Sequence, residues 1–309
     1  MYVLQQFLID QLIIVLNGLS RASTLFLLGT GLSLVYGMLN FMNLAHAAFL
    51  PLGAYLSASL IRRTTGVVGD SLGFVGLFVV FLVVLLLVVP AIASMVGLVM
   101  EQALFEPLYD LEDDYHLLAT FGIILMMEDS MKFVWGGQPV SATAPADLLG
   151  TFSIPGGTYP WWSILTILIT AAIAGTLYYF LEATRLGRIT LAMAEDKEIV
   201  SVSGIDTRSI HLKIFVISVG LAALGGALYL PGASITTGLS LEFVILAFAV
   251  LVIGGLGSLK GAIVASLIIG LVQAYGTYYI PQLALAAVFL LMAAVILVKP
   301  TGLFGEIDA

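Results

Sequence analysis

Polar residues interrupt this chain only at intervals, and between them run stretches of Leu, Val, Ile, Ala, Phe and Gly. Nine stretches stand out: 10–37, 42–61, 72–100, 116–136, 160–182, 212–231, 241–256, 261–279 and 281–298. Most reach the roughly 20 helical residues that cross a hydrocarbon core of about 30 Å. The runs are continuous rather than alternating, which excludes the strands of a membrane barrel. The pattern predicts an all-α, polytopic membrane helix bundle of about eight or nine transmembrane segments, built as one domain over residues 1–309.

Composition strengthens this reading. The chain is 61% hydrophobic and 10% charged, against about 25% charged in soluble domains, and its mean hydropathy is +1.12. It has no cysteine, which removes disulfides, thiolate nucleophiles and Cys-ligated metals. The N-terminus lacks the basic region and small-residue cleavage site of a secretory signal, so the first apolar stretch is expected to remain a membrane helix. A net charge of -8 argues against nucleic acid and against strong attraction to anionic lipid. The expected setting is the lipid bilayer of a cell (plasma or inner) membrane.

Charge is concentrated in one place. The segment Glu182 to Lys213 holds ten of the thirty Asp, Glu, Lys and Arg residues. Five of the eleven basic residues, Arg185, Arg188, Lys197, Arg208 and Lys213, lie here, which places this island in the cytoplasm by the positive-inside rule. Loop 137–159 has no basic residue and reads as external. Counting crossings then produces a conflict: alternation puts Arg62 and Arg63 outside and the acidic stretch 106–116 inside. A re-entrant 116–136 segment, which carries Glu128, Asp129 and Lys132, would remove it.

Enzymatic templates fail. The three histidines, His46, His116 and His211, belong to no HExxH, and GxGD and GxSxG are absent. GGLGSLKGA (254–262) fails the P-loop because Leu259 stands before Lys260, and fails GxGxxG because Lys260 takes the third glycine position. The chain is expected to bind no metal and no cofactor, and not to hydrolyse ATP itself.

Other residues carry weaker signals. Within 188–208 a short amphipathic helix is expected, with Leu191, Ala194 and Ile199 buried, Glu195, Asp196, Lys197 and Glu198 exposed, and Gly204 ending it. Asn40, Asn43 and His46 recur every three residues inside an apolar run, either as a translocation pathway or as a hydrogen-bonded helix end. Glu128 and Lys132 have the i, i+4 order that favours an ion pair. Glu242 begins a helix, where the dipole favours a carboxylate. Gly257 and Gly261 form a GxxxG pair, and Gly254 and Gly255 precede it, as packing or hinge positions.

The motifs in these regions resemble one family. TRLGRITLAMAEDKEIVSVSGIDTR (184–208) is similar to the signature of branched-chain amino acid ABC transporter permeases, the LivH type, through Thr184, Arg185, Gly187, Ala192, Ala194, Asp196, Gly204 and Ile205. Residues 31–56 resemble the N-terminal block through Tyr36, Gly37, Asn43, Ala45, His46, Gly53, Ala54 and Tyr55. Thr120, Gly122 and Glu128 match a third block, and 251–270 and 300–305 match the last two. Ala47 stands where the family usually has glycine, Pro51 interrupts the next turn, and 101–114 is acidic where arginines are common.

The resemblance implies an ABC importer permease fold and alternating access. It makes 183–213 a cytoplasmic coupling loop that docks on a separate ATPase, with Ala192, Ala194, Glu195, Asp196, Gly204 and Ile205 in the contact. Asn40, Asn43, His46 and Glu128 are the pathway candidates. Implied partners are two ATPase subunits that use ATP and Mg, a second LivM-like permease subunit and an extracytoplasmic solute-binding protein. Branched-chain or other hydrophobic amino acids are the expected solutes, with urea, short amides or aromatic acids as alternatives. A motor-independent carrier or channel, or a membrane scaffold, is the alternative class.

Overall fold

The computed structural model describes residues 2–39, 42–69, 71–109, 113–155 and 157–305. Helix α1 (Tyr2–Leu39) is followed by a 3-10 turn (Leu44–Ala48) and α2 (Phe49–Val68). Then come α3 (Phe74–Val83), α4 (Val89–Met100), α5 (Asp113–Trp135) and the short α6 (Ala144–Leu149). A two-stranded antiparallel hairpin, β1 (Thr151–Ile154) and β2 (Gly157–Pro160), departs from the all-α expectation in the loop expected to be external. Helices α7 (Trp161–Ala183), α8 (Arg185–Glu195), α9 (Lys197–Val202), α10 (Thr207–Tyr229), α11 (Leu239–Gly254), α12 (Leu259–Tyr279) and α13 (Ala284–Val298) complete the chain.

Proline positions explain the local irregularities. Pro90 has no N–H for the carbonyl of Leu86, and the chain widens into a π turn over Val84–Val88 just before it. A second π turn, Glu101–Phe105, buries both of its end residues, and Pro107 lies in the short 3-10 turn that follows. Pro51 falls in the first turn of α2, where its missing N–H costs nothing, so the helix is not disturbed.

Helices α1 and α10 form the centre. α1 packs against α7, α10, α11 and α12, while α10 packs against α2 and α4. The contact of α2 with α10 is backbone to backbone: a methyl at Gly226 would overlap the Leu50 carbonyl oxygen, and one at Gly53 the Ala223 carbonyl oxygen. Only glycine allows helices this near, and the approach places Phe49, Leu50, Ala54, Val219 and Ala223 in one fully buried cluster. α13 buries little beyond Val288 and presents apolar side chains outward, as a lipid-facing helix does.

Seven helical spans among the described residues have the length and apolarity of a membrane crossing. α11 has only 16 residues, and α5 carries Glu128, Asp129 and Lys132, so neither belongs to that set. α5 is one continuous helix of 23 residues. The re-entrant segment suspected at 116–136 is therefore not present.

The two ends of the bundle can be told apart by their contacts. At one end Met38 of α1 packs with Leu181, Met193, Val200 and Ile210. At the other, Gln11 donates to Tyr279 at 2.9 Å, and Arg62 donates to the Ser141 carbonyl at 3.1 Å. Arg62 thus lies with loop 137–159, and Glu106 pairs with Arg208 at the island's end. Arg62 and Glu106 thus fall at opposite ends of the bundle, the arrangement that alternation gives, and Glu106 of the acidic stretch supplies a partner to Arg208 of the island.

Candidate coupling surface and translocation site

The charged island folds as two helices rather than one. Thr184 caps α8, its hydroxyl accepting from Gly187 N at 3.0 Å. Gly187 itself abuts the end of α7, where a methyl would fall 2.5 Å from Leu181 Cα. At Asp196 the backbone turns extended (φ -152°, ψ 99°), and the carboxylate accepts from Ile199 N at 2.9 Å to cap α9. Gly204, at φ 77°, ends the segment, and Asp206 caps α10 by accepting from Ser209 N at 3.1 Å. Three of the four segment boundaries are N-caps of the type Thr and Asp provide.

This break changes which side is buried. Leu191 and Ile199, expected inside, are exposed at 37% and 63%, and Val202 at 84%. Thr190, Met193 and Val200 are buried in their place. The restart at Asp196 rotates the helical phase, so a single period drawn through 188–208 cannot hold. Glu195, Asp196, Lys197 and Glu198 are exposed as expected, together with Ala192 and Gly204. Ala194 and Ile205 are half-buried, and Gly204 and Ile205 line a recess of ≈430 Å³ beside Arg185.

The island is joined to the bundle at Gly37. A methyl built there would lie 3.4 Å from Ala194 Cβ and 3.5 Å from Gly257 Cα. One residue of α1 thus touches both α8 and the turn between α11 and α12.

The glycine run forms that turn. Gly255 and Gly257 take φ 101° and 76°. The partner of Gly261 is Gly254 rather than Gly257: a methyl at Gly254 would lie 2.6 Å from Gly261 C, while Gly257 sits outside both helices. The GxxxG reading fails because the chain reverses between its two glycines. Ser258 caps α12 by accepting from Gly261 N at 3.0 Å, and the 300–305 segment straps the turn through Leu303 N to Ile253 O at 2.8 Å.

Asn43 and His46 come together in the interior, 1% and 0% exposed. They lie on the 3-10 turn and its cap, not on an α-helix. Three residues per turn align them without drift, whereas an α-helix would rotate them apart. Asn40 lies outside the described residues. The side-chain polar atoms of Asn43 and His46 find no hydrogen-bond partner among the described residues, nor do Thr30 Oγ1, Ser33 Oγ and Ser218 Oγ. A methyl at Gly31, which Thr30 and Ser33 flank, would lie 2.7 Å from both His46 Nε2 and the Ser218 carbonyl. The meeting point of α1, the 3-10 turn and α10 is thus rich in buried polar groups with spare bonding capacity. Thr30, Ser33 and Ser218 escape sequence reading, their only signal being hydroxyls inside apolar runs.

Glu128 has a different role from these. Its Oε1 accepts from Gly238 N at 2.5 Å and its Oε2 accepts from the Ser240 hydroxyl, so it holds the N-terminus of α11. Lys132 pairs with Asp129 at 3.0 Å instead. The expected Glu128–Lys132 pair gives way because the orphan N–H groups of α11 offer a buried carboxylate better partners than an exposed ammonium.

Comparison with known proteins agrees with this architecture. Residues 14–298 match the family described as branched-chain amino acid transport system, permease component. The permease protein BraD of Pseudomonas aeruginosa, of a high-affinity branched-chain amino acid transport system, is 28% identical over 94% of each chain. The permease protein LivH of Escherichia coli K12, of the same kind of system, is also 28% identical over 94% of each. The ribose import permease RbsC of Escherichia coli K12 is 29% identical over 58% of this chain and 59% of its own. With a match running nearly end to end, the chain belongs to the family of permease components of branched-chain amino acid transport systems.

Proposed function

We propose that this chain is one permease subunit of an ATP-driven importer for branched-chain amino acids, embedded as a multi-pass protein in the plasma membrane. It works with a second, LivM-like permease, two ATPase subunits that bind ATP and Mg, and an external solute-binding protein. The relatives BraD and LivH, similar along almost their whole length, support the class of solute. The chain is a transport subunit and leaves ATP hydrolysis to its partners.

The observation that carries the coupling role is the outward apolar face of the island. Leu191, Ile199 and Val202 are exposed on helices whose other side is anchored by Met193 and Val200. Exposed apolar residues beside Glu195, Lys197 and Glu198 suit a cleft in a motor domain, with the charges fixing orientation. Movement of α8 would reach the bundle at Gly37 and pass to the α11–α12 turn. The buried polar groups around Asn43 and His46 would then face the pathway in part of the cycle.

The test is reconstitution in vesicles with the ATPase subunits and the external protein. Leucine uptake should require ATP, and Ile199→Asp with Val202→Asp should release the ATPase on purification. Uptake by this chain without any ATPase subunit would establish a motor-independent carrier instead.

A further inference from the structure

Resting on that importer reading, we propose that a cavity at the end of the bundle away from the island receives the solute as a zwitterion. Arg21 holds the carboxylate, Glu242 holds the ammonium, and the apolar side chain enters first.

The cavity has a volume of ≈590 Å³ and lies between α1, α7, α10, α11 and α12. That size is within the roughly 300–1,000 Å³ of small-molecule sites. Arg21 is a cation in the middle of a 38-residue apolar helix, and Glu242 lies in the first turn of α11. Both line this cavity, and both lie within Coulombic reach of the Tyr229 hydroxyl, which lines it too. Yet among the described residues neither takes part in an ion pair.

Both side chains are exposed at the cavity, and opposite charges that share a wall without pairing offer a ligand two charges to satisfy. An α-amino acid meets both with its own charges. A neutral sugar or amide would meet neither, and a simple anion or cation only one.

Other polar groups in the wall have capacity to spare. The Thr166 hydroxyl is only 4% exposed, lines the cavity and has no hydrogen-bond partner among the described residues. It can donate to a carboxylate or accept from an ammonium.

Helix periodicity orders the site in depth. Leu25 lies one turn below Arg21 on α1, and Leu246 lies one turn below Glu242 on α11; both line the cavity and are 2% and 3% exposed. One further turn down are Gly29 and Val250, where a methyl on the glycine would fall 2.5 Å from Val250 Cγ1. Three successive rungs of the same two helices therefore form a charged mouth, an apolar floor and a closed contact. A branched aliphatic side chain fits the middle rung, with its ammonium and carboxylate held at the mouth.

The experiment uses the purified complex with its ATPase subunits and without the external protein. Binding of leucine is compared with that of isoamylamine, which lacks the carboxylate, and 4-methylpentanoate, which lacks the ammonium. Arg21→Gln should weaken leucine by about tenfold or more, as loss of a charge-assisted contact does, and leave isoamylamine unchanged. Glu242→Gln should weaken leucine similarly and leave 4-methylpentanoate unchanged. Wild-type leucine affinity in both variants overturns the site.

Should a single variant fail to assemble, the exchange of Arg21→Glu with Glu242→Arg is decisive. Leucine binding by the exchanged complex supports the pair, and its loss in an assembled complex overturns it. Leucine uptake by the wild-type complex with its external protein is measured alongside. Uptake without any leucine binding to the complex overturns the receptor alone, whereas an assembled complex that never takes up leucine overturns the importer reading.

Discussion

Glu101 Oε1 and His211 Nε2 stand 2.8 Å apart, both nearly sealed from solvent at 2% and 6% exposure. The Tyr109 hydroxyl joins them, donating to Glu101 and lying 2.9 Å from His211 Nε2. Burial first, then the Glu101 charge, pushes the Tyr109 phenol above its ordinary value. This cluster ties the π turn after α4 to the first turns of α10, beside the island.

Removing Glu101 leaves buried His211 without its carboxylate partner. Glu101→Ala should destabilise by about 1–3 kcal/mol, the cost of leaving a buried hydrogen-bonding group without its partner, read as a lower thermal midpoint of the purified protein. Replacing the whole cluster, as Glu101→Leu and His211→Leu with Tyr109→Phe, should recover much of that loss, because the three groups that bond one another are removed together.

Asp196 acts as a helix cap, which separates its role from that of its neighbour Glu195. Asp196→Ala should cost about 1 kcal/mol and reduce leucine uptake in vesicles by loosening α9. Asp196→Asn keeps the cap and should keep transport. Glu195→Ala, on an exposed side chain, should alter stability by no more than roughly 0.5 kcal/mol. Equal losses in Asp196→Ala and Asp196→Asn would assign the effect to charge rather than to the cap.

Asn43 is buried, and neither of its amide atoms finds a partner among the described residues, a costly arrangement for a purely structural residue. Asn43→Leu should hold or raise stability, by up to about 1 kcal/mol, while lowering uptake by roughly tenfold, equivalent to about 1.4 kcal/mol in the barrier. A fall in stability with unchanged transport rates would make Asn43 a structural residue only.

Gly261 is packed against the backbone of Gly254, while Gly175 on α7 has open space beside it. Gly261→Ala should therefore destabilise by about 1–3 kcal/mol as an overpacked contact. Gly175→Ala should be neutral or stabilising by up to about 1 kcal/mol, through helix propensity alone. Thermal melting of the two variants in the same detergent compares them directly.

Much of the architecture is legible in the sequence because its signals are local. The apolar runs mark the helices, and Gly204 marks the end of the island's helical segment, since a positive φ is a local demand. The reading of 188–208 as one helix fails at Asp196, where a residue named for its charge serves as a cap. The Glu128–Lys132 pair fails for a related reason: spacing shows which partners are within reach, not which ones desolvation favours.

By itself the sequence determined a membrane helix bundle, its order of segments, its charged island and its likeness to a permease family, all one-dimensional properties of pattern and spacing. Only the tertiary structure decided which distant groups meet. Arg21 and Glu242 share a cavity wall, Glu101 faces His211, and Gly37 links Ala194 to Gly257. Those pairings depend on where helices cross and how each is rotated about its axis. Crossing points are set by close packing at positions such as Gly53, Gly226 and Gly254, where the absence of a side chain lets two backbones touch.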